Sequence, residues 1–239
     1  MSRFEQLANL RIERVGTIDQ VARHLRAMIS DGRLRQGERL PEIPLAEALG
    51  VSRNTLRDAI RVLAAEGLVL HELHRGAVVR TLSAADIADI YEIRRMLELK
   101  ALPALPLAPE VARARIWSTL AQCEAAFEAG DYGSFIEHEL EFHGALVAVL
   151  GSERLDRFFG QVLSELRLLF GELTSDNEPR ATRHILGVFQ RLVRAAEKGD
   201  FERATKLMGD HLDAYEKRLV ALVGGVGAGT SDASPRAQA

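Results

Sequence analysis

The feature that most constrains this chain is a stretch over residues 83–222 in which apolar residues recur almost throughout at helical spacing. Ser83 and Asp86 form a capping pattern at its start. Segments that contain glycine or proline divide the stretch into six predicted helices, at about 84–101, 109–129, 131–150, 152–173, 178–198 and 200–222. This part of the chain is therefore expected to be all-helical.

The first third of the sequence predicts a different unit. Apolar spacing favours a helix over residues 18–29, a short helix over 44–50, and a third helix that Ser52 caps and Gly67 ends. Residues 68–80 form two β-rich runs around a turn, which is typical of a hairpin. The predicted fold class is mainly α, with an N-terminal winged helix-turn-helix and a C-terminal all-α bundle. The predicted parts are an N-terminal arm (1–16), the winged helix (17–80), the helical domain (81–222) and a disordered tail (223–239).

Charge and composition narrow the class of protein. The net charge of −3 divides unevenly, because residues 1–80 carry +3 and residues 81–239 carry −6. A basic module joined to an acidic domain suggests that the first part binds an anion. Cys123 is the only cysteine, which excludes an intramolecular disulfide. The sequence has no signal core and no apolar run of about 18 residues, so we expect a cytoplasmic protein that does not enter a membrane.

The helix-turn-helix has the side chains that DNA recognition requires. The exposed face of its second helix is expected to carry Ser52, Arg53, Asn54, Thr55, Arg57 and Arg61. Arginine can pair with guanine and asparagine with adenine, while hydroxyl groups can hold phosphates. Arg75 and Gly76 stand at the hairpin tip, where a cation could reach the DNA. The alternative is a helical hairpin with a solvated arginine face, but the adjacent wing and the basic charge favour DNA.

A second cluster, EHELEFH, occupies residues 137–143 of a predicted helix. Positions four apart share a helix face, so Glu139 and His143 should point together. His138 is turned away by about 100° and the other two glutamates are expected to be solvated. The pair is compatible with a metal site or with a hydrogen-bonded polar cluster.

The first third resembles the winged-helix domain of the GntR family of bacterial transcription regulators. The motifs GRLRQGERL, LAEALGVSRNTLRDAI, LAAEGLV and HRGAVV follow one another as they do in that family. Gln36 replaces a usual proline and Asp58 a usual glutamate. The resemblance implies operator DNA as a partner. It places the DNA contacts on Ser52, Arg53, Asn54, Thr55 and Arg57, with Arg75 and Gly76 in the wing.

The segment ADIYEIRRMLELKAL (88–102) resembles the first helix of the FCD effector domain, the helical partner in the FadR branch of that family. The resemblance implies a homodimer that binds a small organic acid. In that branch an Asp and three His often hold a divalent metal. Here the motif supplies Glu139, His143 and His211, whereas Phe189 stands where the remaining His is expected. The implied cofactor is one zinc, nickel or manganese ion, and the alternative is a polar cluster without metal.

Arg94 matches an arginine of the family's first effector-domain helix and is the expected anchor for a carboxylate, since a guanidinium can grip both oxygens. Arg95 is a further candidate. The alternative role for Arg94 is an ion pair with Glu98 on the helix surface.

These patterns predict a DNA-binding transcription regulator, a repressor by hypothesis, and not an enzyme. Two alternatives are a metal-dependent hydrolase that uses Glu139, His143 and His211, and a DNA-binding protein without an effector.

Overall fold

The computed structural model describes residues 16–30, 32–173 and 179–228, with 170–173, 179–181 and 225–228 as backbone only. Apart from Gly16, the predicted N-terminal arm lies outside the described residues, as does the tail from residue 229. In chain order the elements are α1 (Thr17–Ser30), α2 (Glu42–Ala48), α3 (Arg53–Ala65), β1 (Val69–Glu72), β2 (Gly76–Val79), α4 (Ala84–Ala104), α5 (Glu110–Glu128), α6 (Tyr132–Ala148), α7 (Glu153–Leu173), α8 (Pro179–Glu197) and α9 (Phe201–Ala228). The predicted fold class, a winged helix-turn-helix followed by a helical domain, is confirmed.

The winged helix is built on the apolar stripes of α1 and α3. Leu25 of α1 and Leu56 and Leu63 of α3 are fully buried in one core. β1 and β2 pair antiparallel, with Val69 opposite Val79, and Val78 forms a further bridge to Arg39. The two-stranded hairpin therefore gains a third partner from the segment that precedes α2, and its inner face closes the core.

Six α-helices, α4–α9, and a short 3₁₀ helix (Leu105–Leu107) make up the rest of the described chain. The predicted capping pattern is present: the Ser83 side chain accepts from the Asp86 backbone N–H, and the Asp86 carboxylate accepts from the Ser83 backbone. The helices α5 and α6 pack together, and α9 packs against both α4 and α8. The thiol of Cys123 is buried in this bundle, where burial raises its pKa to about 12.

Two helix ends differ from their predicted positions. The helix α4 continues through Pro103 to Ala104 instead of ending at 101, since a proline near the last turn costs only one backbone hydrogen bond. The helix α9 ends at Ala228, six residues beyond the predicted end at 222, so the start of the predicted disordered tail is helical. Leu219 is buried and Val223 packs against the core, and this tertiary packing outweighs the low helix propensity of the glycines that follow.

The two parts of the chain contact each other along α7. The Gln36 side-chain amide donates to the Leu168 carbonyl at 3.2 Å, and the Gln161 amide donates to the Ala65 carbonyl at 3.1 Å. Beside them Arg80 forms an ion pair with Glu165 at 3.0 Å. The winged helix thus rests on the same bundle that carries the effector-site candidates. Within the described residues no helix is long and apolar enough to cross a bilayer.

Candidate DNA-binding surface and buried polar site

The N-terminus of α3 is fixed by its capping residue. The Ser52 hydroxyl accepts from the Thr55 backbone N–H at 3.1 Å and lies 2.8 Å from the Thr55 hydroxyl. Arg53 and Asn54 follow the cap, are exposed, and have no hydrogen bond or ion pair with other described residues. A capped helix end with two free side chains suits insertion into a major groove.

Further along α3 the arginines are paired with acidic neighbours. Arg57 donates to Glu42 of α2 at 2.6 Å, and Arg61 donates to Asp58 at 2.8 Å. Both arginines remain more than half exposed. Exposed pairs of this kind are worth less than about 1 kcal/mol, so they can be exchanged for a phosphate or a base at little cost.

The wing tip projects from the hairpin. Gly76 has a φ of +79° and His74 a φ of +66°, which together reverse the chain over a short loop. Arg75 donates to Glu72 at 2.6 Å and more weakly to the Gly37 carbonyl at 3.4 Å. Leu73 beside it is 84% exposed. The wing therefore presents one cation and one apolar side chain to the outside.

In the helical domain the structure brings Glu139, His143 and His211 together, as predicted. Their potential ligand atoms all lie within 4.8 Å of one another, and all three side chains are buried. Glu139 and His143 lie on one face of α6, and His211 faces them from α9. His211 Nε2 and Glu139 Oε1 are 3.8 Å apart, too far for a hydrogen bond. The cluster thus leaves room between its members.

His143 is held by a residue that the sequence did not single out for this role. Its Nδ1 lies 2.6 Å from Glu98 Oε2, and the other Glu98 oxygen accepts from Arg94 Nε at 2.8 Å. Because a carboxylate only accepts, Nδ1 carries the proton and Nε2 keeps its lone pair. This is how second-shell carboxylates orient a metal-binding imidazole.

Arg94 and Glu98 form an ion pair, as the alternative hypothesis predicted. The pair lies in the core, however, whereas that hypothesis placed it on the helix surface. The two side chains are 3% and 0% exposed. Neighbours on α6, α8 and α9 cover α4 from several sides, which an i,i+4 spacing alone cannot reveal. Arg95, the other candidate, points outward and bridges to Asp213 and Glu216 of α9.

Burial and charge set the protonation of the site. Burial opposes the charge on Glu98, but Arg94 and His143 outweigh it and lower the pKa of Glu98. For Glu139, burial outweighs the attraction of Arg94 and raises the pKa to about 7. Burial also lowers the pKa of His143, and that of His211 falls well below its ordinary value. At neutral pH both imidazoles are therefore neutral, which is the form that binds metals.

Phe189 occupies the position of the missing fourth ligand. Its ring stacks on Phe142 and stands edge-on to His143 and His211, with ring centroids 5.2 and 4.8 Å apart. His184, the nearest histidine of α8 in sequence, is exposed and is not a member of the cluster. One side of the site is consequently a hydrocarbon wall.

The other residues of EHELEFH are not part of the cluster. His138 interacts with Glu141 at 2.9 Å on the surface. Glu137 was expected to be solvated, but it accepts from Arg167 at 3.0 Å and from the Ser30 hydroxyl at 3.4 Å. Glu137 therefore links α6 to α7 and to the winged helix.

Three buried polar atoms around the cluster lack a hydrogen-bond partner among the described residues: Tyr91 Oη, Arg94 Nη2 and His143 Nε2. Buried donors without partners are costly, so each calls for an explanation. The Arg94 guanidinium also lies over the Tyr91 ring, 4.9 Å from its centroid. Two donors and one lone pair thus surround a site that already contains a carboxylate and a second imidazole.

Known families account for both parts of the chain. Residues 17–79 match the family described as "Bacterial regulatory proteins, gntR family", and residues 89–214 match the FCD domain. The second match alone covers more than half of the chain. The chain belongs to the GntR family and carries an FCD domain. It is therefore a transcription regulator of a DNA-binding family, and the hydrolase hypothesis has no support among its relatives.

Individual relatives agree with this assignment. A protein of Paenarthrobacter nicotinovorans named "Probable D-xylose utilization operon transcriptional repressor" is 28% identical over 91% of this GntR-family chain and 95% of its own length. A crystal structure described as a GntR transcriptional regulator from Rhodococcus sp. RHA1 is 31% identical, with a TM-score of 0.74 over 85% of this chain and 97% of that one. E. coli McbR/YncC, at 22% identity and a TM-score of 0.72 over 87% of this chain and 99% of that one, shares the fold.

Proposed function

We propose that this GntR-family regulator is a repressor whose operator affinity is set by a small carboxylate bound in the helical domain. The observation that carries the proposal is that Nη2 of buried Arg94 and Nε2 of buried His143 both lack a hydrogen-bond partner among the described residues. Glu98 already neutralises part of the Arg94 charge, and the unpaired nitrogen can donate to one more acceptor. A carboxylate oxygen is the acceptor that a guanidinium binds best.

The DNA contacts in this proposal come from the exposed start of α3 and from the wing. Arg53 and Asn54 would read base edges, Ser52 and Thr55 would hold phosphates, and Arg57 would leave Glu42 for the DNA. Arg75 and Gly76 would approach the backbone or minor groove. A homodimer would place two such helices in successive major grooves, about 34–36 Å apart on a palindromic site.

Regulation follows by linkage between the two parts of the chain. A carboxylate that lowers operator affinity must itself bind less tightly to the DNA-bound form. The helix α6 connects the two sites, since Glu139 and His143 lie in the buried cluster while Glu137 contacts Ser30 of α1. A shift of α6 on effector binding can thereby change the position of the winged helix relative to the helical domain.

The test uses the full chain, DNA from upstream of its own gene, and a panel of small mono- and dicarboxylic acids. One acid is expected to change operator affinity by about five- to 150-fold, the usual range of allosteric coupling. Arg94→Lys, which keeps the charge and loses the planar fork, should reduce that factor to near one. Arg95→Lys is the matched control at the adjacent, half-buried position outside the cluster and should respond as the native protein does.

Two results would contradict the effector proposal. If no acid changes affinity, the effector-independent alternative holds. If an acid acts equally on Arg94→Lys and native protein, Arg94 is not the anchor. Thermal unfolding of each variant checks that the buried substitution leaves the fold intact.

We further propose that Glu139, His143 and His211 hold one divalent metal ion, with zinc, nickel and manganese as the candidates. Two neutral imidazoles and a carboxyl group that would lose its proton on binding the ion, all within 4.8 Å, fit the ligand set of an open zinc-type site. Glu98 orients His143 in the manner of a second-shell carboxylate. Phe189 supplies no donor, so a bound ion would keep a coordination position for an oxygen of the effector.

Metal content provides the second test. Protein purified without a histidine tag and loaded with each ion should retain about one ion per chain after dialysis, and His143→Ala should retain almost none. His138→Ala removes a histidine of the same helix outside the cluster and should retain the ion. Phe189→His restores the missing donor and should bind more tightly. A content near zero in native protein with all three metals would instead indicate a hydrogen-bonded polar cluster.

A further inference from the structure

A cavity lies between the winged helix and the helical domain, and no residue of the buried cluster lines it. It has a volume of about 870 Å³ and is bounded by α1 and α3 on one side and by α6 and α7 on the other. Ligand sites of small molecules commonly occupy 300–1,000 Å³ and favour domain boundaries. We call this cavity the interdomain cleft.

The interdomain cleft is rich in arginine. Four arginines line it, namely Arg23, Arg26, Arg157 and Arg167. Two of them are already neutralised: Arg26 donates to Glu66 at 2.5 Å, and Arg167 donates to Glu137 at 3.0 Å. The third acid of the lining, Asp131, is engaged as the cap of α6, where it accepts from the Ser134 backbone.

The other two arginines come from opposite sides of the cleft. Arg23 belongs to α1 of the winged helix and Arg157 to α7 of the helical domain, and both side chains are exposed. Neither forms an ion pair or hydrogen bond with another described residue. Two unpaired guanidinium groups that line one cleft from different domains provide a site for an anion with several acceptor oxygens.

Uncharged donors and acceptors complete the lining. Ser30, Ser134, Gln161 and Ser164 line the same cleft. Their side chains bond to Glu137, Asp131, the Ala65 carbonyl and Arg167 respectively, and each keeps further donor or acceptor capacity. Hydroxyl and amide groups of this kind bind the hydroxyls of a polar ligand, whereas planar guanidinium groups bind phosphate with paired hydrogen bonds. The chemistry favours a phosphate on a hydroxylated small molecule over a purely apolar acid.

We propose that the interdomain cleft binds a phosphate-bearing metabolite, through Arg23 on one domain and Arg157 on the other, as a second effector site. The cleft differs from the carboxylate site in position and chemistry. None of Arg94, Glu139, His143 and His211 lines the cleft. A ligand that touches both domains stabilises one relative pose of the winged helix, so its binding is coupled to operator binding.

The test is calorimetric titration of the full chain with three probes at constant ionic strength: inorganic phosphate, inorganic pyrophosphate and a hexose monophosphate. At least one probe should bind saturably, and the unphosphorylated hexose should not. Arg23→Gln and Arg157→Gln should each weaken that binding about tenfold or more, the usual loss for a charge-assisted hydrogen bond. Both side chains are exposed and unpaired, so both variants are expected to fold as the native protein does.

Arg154→Gln is the matched control, since Arg154 is an exposed arginine on α7 that does not line the cleft. It should bind the probe as native protein does. Equal weakening by Arg154→Gln would show that general charge is responsible, and absence of saturable binding to all three probes would overturn the proposal. Loss of binding in Arg94→Lys with retention in Arg157→Gln would place the ligand in the bundle and also overturn it. Because the readout is ligand binding without DNA, failure here leaves the operator and carboxylate tests unaffected.

Discussion

Replacing Arg53 by alanine is expected to lower affinity for the specific operator by about five- to 150-fold, the loss of one bidentate base contact worth about 1–3 kcal/mol. Arg53 is the first residue of α3, and its exposed side chain has no partner among the described residues, so no internal contact needs to be broken first. Arg57→Ala should act in the same direction. Its pair with Glu42 is exposed and is expected to oppose DNA binding by less than about 1 kcal/mol.

A charge-matched control separates base recognition from general attraction to phosphates. Arg203→Ala removes one exposed arginine from α9 in the helical domain, far along the chain from α3. It should leave operator affinity nearly unchanged. Affinities for operator and for scrambled DNA are to be measured by fluorescence anisotropy over a series of salt concentrations, because phosphate contacts impose a steep salt dependence. If Arg53→Ala keeps the native preference for operator over scrambled DNA, the base-contact assignment is wrong.

The parts of the fold that were predicted from sequence depend on local interactions. Ser52 and Ser83 act as caps as their sequence neighbours indicated, because a cap needs only a hydroxyl and the next turn of backbone. The hairpin predicted over residues 68–80 followed from its two β-rich runs and the turn that contains Gly76. The ends of α4 and α9 were misplaced because packing against distant helices decided them, and proline and glycine gave the opposite local signal.

In the buried site, too, local features could be predicted from sequence and contacts between helices could not. The shared face of Glu139 and His143 is a property of a single helix and was predicted from their spacing. The burial of Arg94 and Glu98 is a property of several packed helices. The sequence of α4 has apolar residues on more than one side, a pattern typical of a helix that is buried on all sides. That pattern could have indicated that Arg94 and Glu98 are buried. Nothing in one helix indicated that Glu98 would reach His143 on α6, or that Arg23 and Arg157 would line one cleft.

Glu98→Ala is expected to be the most destabilising single change in the helical domain, at about 3–5 kcal/mol, since it leaves a buried charge without its partner. Glu98 is fully buried and accepts from both Arg94 and His143. Removal of Glu98 would leave a second nitrogen of the buried Arg94 guanidinium without a partner. It would also remove the group that fixes the tautomer of His143. Urea unfolding of metal-free protein, followed by circular dichroism, measures the change.

A control variant and a double variant test whether burial of the ion pair causes the loss of stability in Glu98→Ala. Glu216→Ala removes one of the acidic partners of Arg95 on the outer side of the same α4–α9 contact and leaves Asp213 in place. It should cost less than about 1 kcal/mol because that pair is partly solvated. The double change Arg94→Met with Glu98→Leu removes both charges and should cost clearly less than Glu98→Ala alone, because no unpaired charge remains. If the double variant costs as much as the sum of its single changes, the pair is not coupled, and Arg94 reaches solvent when Glu98 is absent. If Arg94 and Glu98 are coupled, the Arg94 side chain stays in the core when Glu98 is removed, because it cannot reach solvent. Only an Arg94 that stays in the core can use Nη2 to anchor a buried carboxylate.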